Sequence, residues 1–155
     1  MRDHLGFEFN EEISSDFFRV VTGKLLGTGQ SRRVYECALN TNLVVKVENP
    51  RWSFDNILEY DLWNEVRRDR NLRKWFAECH NISPCGRILI QDRTFMTDRF
   101  PQKIPVWFTD LHYQNFGRLR NGRFVCHDYA GHKATALGLK PMKMKKADWR
   151  LEKNI

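Results

Sequence analysis

The sequence predicts a single domain of the α+β class, in which an antiparallel β-sheet is joined by one main helix. Short apolar runs bounded by glycine, asparagine and proline indicate several strands and hairpins. One longer segment instead repeats its apolar residues every four positions, as an amphipathic helix does. The length of 155 residues fits one domain, since domains usually hold roughly 100 to 200 residues.

The first part of the chain predicts a glycine-tipped hairpin followed by a third strand. Residues 17–26 are apolar and partly β-branched, residues 27–31 form a flexible turn, and residues 33–39 resume a strand pattern. Residues 43–47 then form a short apolar strand that carries one lysine, Lys46. A single charge in such a strand needs a partner when the strand is buried.

The main helix is predicted over residues 55–73. Within it, Leu58, Leu62 and Val66 recur every four residues, and Trp63 lies beside them. This spacing gives the helix an apolar stripe along one face. We expect that stripe to pack on the sheet.

The second half of the chain predicts shorter elements. Residues 83–86 form a turn before a strand at residues 87–91, and prolines mark residues 95–109 as a loop or short extended link. The Asn-Gly pair at residues 121–122, between residues 118–120 (RLR) and 123–126 (RFVC), predicts a hairpin with a tight type I′ turn. Beyond residue 131 the pattern is weak and predicts a loop with a short helix.

The net charge of +7 is concentrated in two segments. They are the arginine-rich segment Arg67–Lys74 and the basic tail Lys140–Lys153. Such patches either meet acidic or phosphate-rich partners or serve as solvated faces. We therefore expect a protein partner or substrate, and keep nucleic acid as an alternative partner for both patches.

Several classes of protein are disfavoured by the same sequence. No apolar run approaches the roughly 18 residues of a membrane-spanning helix, and the N-terminus does not resemble a secretory signal, so we expect a cytoplasmic protein without a membrane partner. Zinc ligands usually lie about two to four residues apart, whereas five residues separate Cys79 from Cys85. This spacing favours reduced thiols over a zinc site.

The first half of the chain carries groups that suit a nucleoside triphosphate. Such a ligand needs backbone close to its phosphates, a fixed cation and oxygen ligands for Mg²⁺. Gly27-Thr28-Gly29 at the hairpin tip allows the close approach, because glycine has no Cβ. Lys46 supplies a cation. Glu59 and Glu65 lie about 60° to either side of the centre of the apolar helix stripe, so both are candidates to pair with Lys46.

Oxygen-bearing side chains recur in the second half. Asp110 lies five residues before Asn115, and the predicted hairpin then returns the chain to Asp128. Bringing these three side chains into one small volume suits Mg²⁺ and the proton of a nucleophile.

Four segments occur in an order that matches a known superfamily. Residues 26–34 (LGTGQSRRV) are similar to the glycine-rich loop G-x-G-x-x-G-x-V, with Arg32 in place of the third glycine. Residues 44–47 (VVKV) look like the V-A-I-K strand, residues 110–115 (DLHYQN) like D-L-H-x-x-N, and residues 128–130 (DYA) stand where D-F-G is expected. Together they resemble the protein-kinase-like superfamily, including its aminoglycoside-phosphotransferase branch.

The resemblance implies ATP and Mg²⁺ as cofactors and assigns roles to residues. Lys46 would contact the α- and β-phosphates, Glu59 would hold Lys46, and Asp110 would be the catalytic base. Asn115 and Asp128 would bind Mg²⁺. The residues expected to bind the nucleotide are Gly27, Thr28, Gly29, Val34, Lys46, Gln91 and Asp92, the last two belonging to a hinge at residues 91–94.

The resemblance also divides the chain and has clear gaps. It implies an N-lobe at about residues 17–94, a reduced C-lobe at about 95–139 and a basic tail at 140–155. Only about fifteen residues, 95–109, fill the place of two kinase helices, and 24 residues follow Gly131, too few for the usual peptide-binding helices.

Three functions follow from this truncated kinase-like pattern. The first is a compact ATP-dependent phosphotransferase acting on a protein or on itself. The second is a pseudokinase, a protein of the same fold without turnover that binds or inhibits a partner through its basic surface, as small proteins of phages or mobile elements do. The third is a nucleic-acid-binding protein that uses the two basic segments.

Overall fold

The computed structural model describes residues 18–49, 53–131 and 143–150. Its class is α+β, with more strand than helix, as the sequence predicts. The first five strands are β1 Thr22–Thr28, β2 Arg32–Cys37, β3 Leu43–Glu48, β4 Cys79–Ile82 and β5 Ile88–Asp92. They form one sheet in the order β1-β2-β3-β5-β4, with all neighbours antiparallel.

The N-terminal hairpin is confirmed, but its first strand begins later than predicted. Residues 18–21 form a helical turn, and the chain becomes extended only from Thr22. The predicted strand was wrong here because a short apolar run does not distinguish helix from strand. Gly27 lies within β1 opposite Val34, so the tip of the hairpin is at residues 29–31.

The third and fifth strands confirm the predictions for residues 43–47 and 87–91 within a residue. The turn between β4 and β5 also forms, because the backbone N–H of Gly86 donates to Ser83 O at 2.8 Å. The pattern did not predict β4, since its sequence, Cys-His-Asn-Ile, has no clear alternation of apolar and polar residues. Its pairing with β5 holds it in the sheet.

The predicted helix at residues 55–73 is two helices, α1 Asp55–Val66 and α2 Arg70–Arg73. Asp69 separates them, because its carboxylate accepts hydrogen bonds from the backbone N–H groups of Asn71 and Leu72. This is the contact of a helix N-cap, so a new helix starts where the periodicity predicted a continuation.

The buried face of α1 differs from the predicted apolar stripe. Leu58 is 46% exposed, whereas Asn56 and Glu59 have no exposed surface. Leu62 and Val66 are buried as predicted. The helix therefore turns two polar residues towards the sheet, which requires that each be bonded there.

Polar contacts from the sheet meet that requirement at the start of α1. Phe54, before the first turn, has the left-handed φ of 60° and gives no side-chain cap. The carboxylate of Glu48 on β3 instead accepts from the backbone N–H of Asn56 at 2.8 Å. The Asn56 amide donates to Gly86 O at 3.1 Å. These bonds fix α1 against β3 and the β4–β5 turn.

The described residues of the second half form four short strands and a 3₁₀ helix at Tyr113–Asn115. The strands are β6 Lys103–Pro105, β7 Phe116–Arg118, β8 Phe124–Cys126 and β9 Met144–Lys146. β6 pairs with β9, and β7 pairs with β8. The residues at 143–150 predicted as loop and helix therefore include a strand, while residues 132–142 and 151–155 lie outside the described chain.

The β7–β8 hairpin is confirmed, but its turn is not type I′. Gly122 has a φ of 84°, and among the described non-glycine residues only Phe54 has a positive φ. A type I′ turn needs positive φ at both central residues. The backbone N–H of Gly122 donates to Leu119 O at 2.8 Å, so this is a type I turn followed by a glycine in the left-handed region.

The core joins the sheet, α1 and the second half of the chain. Its largest fully buried side chains include Trp107, Tyr129, Phe76, Phe108, Leu62, Leu89 and Ile104. Among the described residues, no helix is long and apolar enough to cross a membrane.

Candidate functional site

A cleft with a volume of about 810 Å³ lies between the five-stranded sheet and the segment that contains the 3₁₀ helix and β7. Its size falls within the roughly 300–1,000 Å³ of small-molecule sites. Most of its lining is apolar. Its lining includes Gly27, Val34, Val44, Lys46, Gln91, Asp92, Thr94, Phe116 and His127.

Lys46 is the buried cation of this cleft. It lies on β3 with 3% of its surface exposed. Its Nζ is 2.8 Å from Glu59 Oε2 and also donates to the backbone carbonyl of His127. Lys46 thus pairs with Glu59 of α1 and not with Glu65, a choice that the helix geometry in the sequence left open.

Arg32 is a second buried cation, and sequence reasoning missed its role. Its Nη2 lies 2.9 Å from Glu59 Oε1 and 2.6 Å from Asp128 Oδ1. Only 7% of its side chain is exposed. The sequence could have predicted that Arg32 faces the site. Arg32 comes two residues before Val34, which was predicted to bind the nucleotide, and residues two apart in a strand lie on the same face.

Glu59 is the anion that both cations share. It has no exposed surface, and its Oε1 also accepts from the backbone N–H of Tyr129 at 3.1 Å. Burial alone would raise the pKa of Glu59, but the adjacent Arg32 and Lys46 lower it to about 2. The carboxylate is therefore ionised at neutral pH, as a buried charge with two opposite partners should be.

The segment after β8 supplies two more ionisable groups. Partial burial and the nearby Glu59 carboxylate raise the pKa of Asp128, while Arg32 acts against both. Burial and the charge of Lys46 lower the pKa of His127 to about 4. Nδ1 of His127 lies 2.8 Å from Thr94 Oγ1, so a neutral imidazole joins two walls of the cleft.

Asp110 and Asn115 are brought together beside the 3₁₀ helix. The Asn115 amide donates to Asp110 Oδ2 at 2.9 Å. Asp110 Oδ1 lies 3.3 Å from a guanidinium nitrogen of Arg150, after β9. The backbone N–H of Asp128 donates to Asn115 O at 3.3 Å, so the backbone of the 3₁₀ helix and that of the segment after β8 are adjacent.

The two residues predicted to bind Mg²⁺ contact protein groups. The Asn115 side chain is bonded to Asp110, and Asp128 is in an ion pair with Arg32. Within residues 18–49, 53–131 and 143–150, no three His, Cys, Asp or Glu side chains form a group that could hold a metal ion. The contact of Asn115 uses its Nδ2 and that of Asp128 uses its Oδ1, so these bonds do not engage Oδ1 of Asn115 or Oδ2 of Asp128.

The residues predicted to bind a nucleotide divide into two sets. Gly27, Val34 and Lys46 line the cleft, but Thr28 and Gly29 do not. The backbone N–H of Gly29 donates to Arg32 O at 2.8 Å, which closes the hairpin turn. The turn therefore lies beyond the cleft.

The predicted hinge borders the cleft through Gln91, Asp92 and Thr94. Gln91 is fully buried. Its Nε2 lies 3.5 Å from Glu59 Oε2, whereas its Oε1 is a buried acceptor without a hydrogen-bond donor. Oδ1 of Asp92 lies 2.8 Å from Nε2 of His80. Gln91 therefore presents an unsatisfied acceptor in a residue that lines the cleft.

A second hollow, of about 450 Å³, lies next to the arginine-rich segment. Its arginines come from both sides: three from the region after α1, and one from the β7–β8 hairpin. We call it the arginine hollow. It is lined by Arg67, Arg68, Arg73, Arg123, Trp63 and Glu78. The fold therefore adds Arg123 to the predicted patch.

The basic tail is described only in part. Lys143, Lys145, Lys146 and Arg150 belong to the described residues, whereas Lys140 and Lys153 lie outside them.

Comparison with known proteins assigns no family to this chain. Neither a scan against models of protein families nor a search of curated proteins finds a match.

Proposed function

We propose that this chain is a kinase-like protein that binds an adenine nucleotide in the cleft, and that binding rather than phosphoryl transfer is its use. The observation that carries the proposal is the buried Lys46–Glu59 pair, 2.8 Å apart, at a cleft of nucleotide size. A cation held in this way contacts nucleotide phosphates in proteins of that superfamily.

The cleft walls suit a flat aromatic base. Val34 and Val44 line it from the sheet, and Phe116 lines it from β7. Apolar side chains on both sides favour a planar ring between them, because the ring buries both of its faces. A ribose and phosphates attached to that ring would extend towards Lys46.

Gln91 supports a ligand that donates a hydrogen bond. Its Oε1 is buried without a donor, and leaving a buried acceptor unsatisfied costs roughly 1–3 kcal/mol. Gln91 has no exposed surface, so a ligand would reach this oxygen only after the side chain turns towards the cleft. The exocyclic amino group of adenine, guanine or cytosine would then satisfy it, and adenine is named because of the resemblance to kinases.

The pairing of Asp128 supports binding without turnover. Kinase catalysis uses a carboxylate at this point of the chain to hold Mg²⁺. Here Arg32 lies 2.6 Å from Asp128. We therefore favour the pseudokinase alternative over an ATP-dependent transferase.

Thermal unfolding with ATP and with adenosine tests the proposal. A ligand at about 100 times its dissociation constant stabilises the folded state by about 2.7 kcal/mol. Lys46→Ala should weaken ATP binding more than adenosine binding, because only ATP has the phosphates that Lys46 would contact. The variant also loses the Lys46–Glu59 pair, so its unfolding with ligand is compared with its own unfolding without ligand. Lys24→Ala, on the exposed β1, is the matched control. Absence of stabilisation by both ligands contradicts the proposal.

Phosphate transfer from labelled ATP to the chain itself or to an added protein tests the second half of the proposal. We expect none above background. A signal that Asp110→Ala removes would instead support the transferase, with Asp110 as its base.

A second function is favoured by the arginine hollow. Four guanidinium groups share it with one carboxylate, that of Glu78. Such an excess of positive charge attracts an acidic protein segment or a nucleic acid. We propose it as a docking site for an acidic protein partner, with nucleic acid as the alternative.

A further inference from the structure

We infer that the arginine hollow binds a phosphorylated side chain of a protein partner. The inference rests on the docking function proposed above and names the chemical group that the hollow recognises. It is independent of the nucleotide proposed for the cleft, because the cleft and the hollow share no lining residue.

Backbone hydrogen bonds hold the two sides of the hollow together. Arg73 is the last residue of α2, and Arg123 directly precedes β8. The N–H of Cys126 donates to Trp75 O, and the N–H of Ala77 donates to Cys126 O, both at 2.8 Å. These bonds fix β8 beside the chain that follows α2. The arginines therefore surround one hollow without a ligand to bring them together.

The guanidinium groups of the hollow are available to a ligand. Within the described part of the chain, none of the four forms an ion pair or donates a hydrogen bond. All four arginines are exposed. Asp69, which lies between them in the sequence, caps α2, and Glu78 is the one carboxylate among the described lining residues. Four positive charges thus face a single negative charge.

A phosphate ester matches this excess of positive charge better than a carboxylate does. At neutral pH it carries a charge of about −1.5 to −2 and has three acceptor oxygens. A guanidinium is a planar fork that binds phosphate through two parallel hydrogen bonds, so several arginines can bind one phosphate group together. The cations of the lining are all arginine, whereas the neighbouring Lys74 lies over the ring of Trp75.

The lining favours a phosphorylated protein segment over a nucleic acid. Single-stranded nucleic acid binds along a basic groove with aromatic rings on which its bases stack. The aromatic residue of the hollow, Trp63, is only 5% exposed, so it offers little surface for stacking. Glu78 also interrupts the basic lining and would repel the repeated phosphates of a strand. A cluster of arginines around one phosphate group is instead the usual way of recognising a phosphopeptide.

Fluorescence anisotropy of the full chain with three labelled peptides tests the inference. The peptides share one sequence and carry phosphoserine, glutamate or serine at the central position. We expect the phosphoserine peptide to bind about tenfold or more tighter than the glutamate peptide. Binding of these two peptides within about threefold of each other overturns the inference.

Polyglutamate and a single-stranded oligonucleotide are measured beside the three peptides. If polyglutamate binds but phosphoserine gives no advantage over serine, the inference fails and the docking site for an acidic partner stands. If no probe binds at low salt, both fail. An oligonucleotide that binds more tightly than the phosphoserine peptide overturns the inference in favour of a nucleic acid.

Variants locate the bound phosphate. Arg73→Gln and Arg123→Gln each remove one guanidinium group, from opposite sides of the hollow, and should weaken binding of the phosphoserine peptide about fivefold. Arg87→Gln removes the same charge from an exposed position outside the hollow and should bind as the wild type does. Unchanged binding in both hollow variants contradicts the inference, because the phosphate would then bind elsewhere, as at Lys46.

Discussion

Arg32 on β2 and Asp128 after β8 are joined by a 2.6 Å hydrogen bond between residues that are 96 positions apart in the chain. The same guanidinium nitrogen bonds Glu59 of α1. One buried side chain therefore connects the sheet, the helix and the second half of the protein. Asp128 is one of the two residues to which the resemblance assigns Mg²⁺ binding.

Replacing Arg32 by alanine should destabilise the protein by about 3 kcal/mol, near the lower end of the cost of breaking a buried pair. The lower end applies because Glu59 keeps Lys46 as a partner. The free energy of unfolding in urea measures this effect. Arg33→Ala, an exposed position on the same strand, should change it by less than about 0.5 kcal/mol. A loss of less than about 0.5 kcal/mol in Arg32→Ala as well would show that the cluster adds no stability.

Stability should fall as the pH decreases from about 6.5 towards about 4, because His127 must stay neutral in the folded protein. Its pKa is lowered to about 4 by burial and by Lys46, whereas an unfolded histidine titrates near pH 6.5. The unfolded state therefore binds the proton first in this range, and stability increases with pH. His127→Gln should flatten the dependence, as measured by urea midpoints across the range. An unchanged slope in that variant would assign the effect to other groups.

Two glycines beside the cleft should respond differently to alanine. A Cβ on Gly117 would lie 2.8 Å from Phe95 O, so Gly117→Ala should cost about 1–3 kcal/mol of stability, the usual effect of overpacking. A Cβ on Gly27 would meet nothing within 4 Å. Gly27→Ala should therefore leave stability within about 0.5 kcal/mol of the wild type while weakening ATP binding.

Urea unfolding and ATP titration of both glycine variants check this pair of expectations. Weakened ATP binding in a stable Gly27→Ala protein would locate the ligand against β1. Unchanged binding would place the ligand away from Gly27.

Charge reversal in the arginine hollow should abolish binding to an acidic partner. Arg73→Glu combined with Arg123→Glu removes two of the four guanidinium groups. A polyglutamate peptide and a single-stranded oligonucleotide serve as probes, and fluorescence anisotropy measures their binding at several salt concentrations. Arg87→Glu, at an exposed position on the β4–β5 turn, is the control. Preference for the peptide supports a protein partner.

Stronger binding of the oligonucleotide, with a steep loss as salt increases, would favour the nucleic-acid alternative. If neither probe binds at low salt, the arginines form a solvated face and the docking proposal is wrong.

Short-range patterns predicted an element correctly where its residues strongly favour one backbone conformation. The strand around Lys46 is apolar and β-branched, and it is extended as predicted. The Asn121-Gly122 pair predicted a hairpin, and one forms. The turn type was wrong, because only Gly122 takes the positive φ. The helix was predicted too long, since a cap by Asp69 outweighs a periodicity that continues past it.

The sequence by itself determined the α+β class, most of the sheet and the residues available for a charged site. The tertiary structure decided which of them meet. Glu59 rather than Glu65 pairs with Lys46, α1 buries Asn56 while exposing Leu58, and Arg32 reaches Asp128. The physical reason is that a buried charge is stable only beside an opposite charge. That partner is set by how the sheet, the helix and the second half pack, which no local pattern of residues contains.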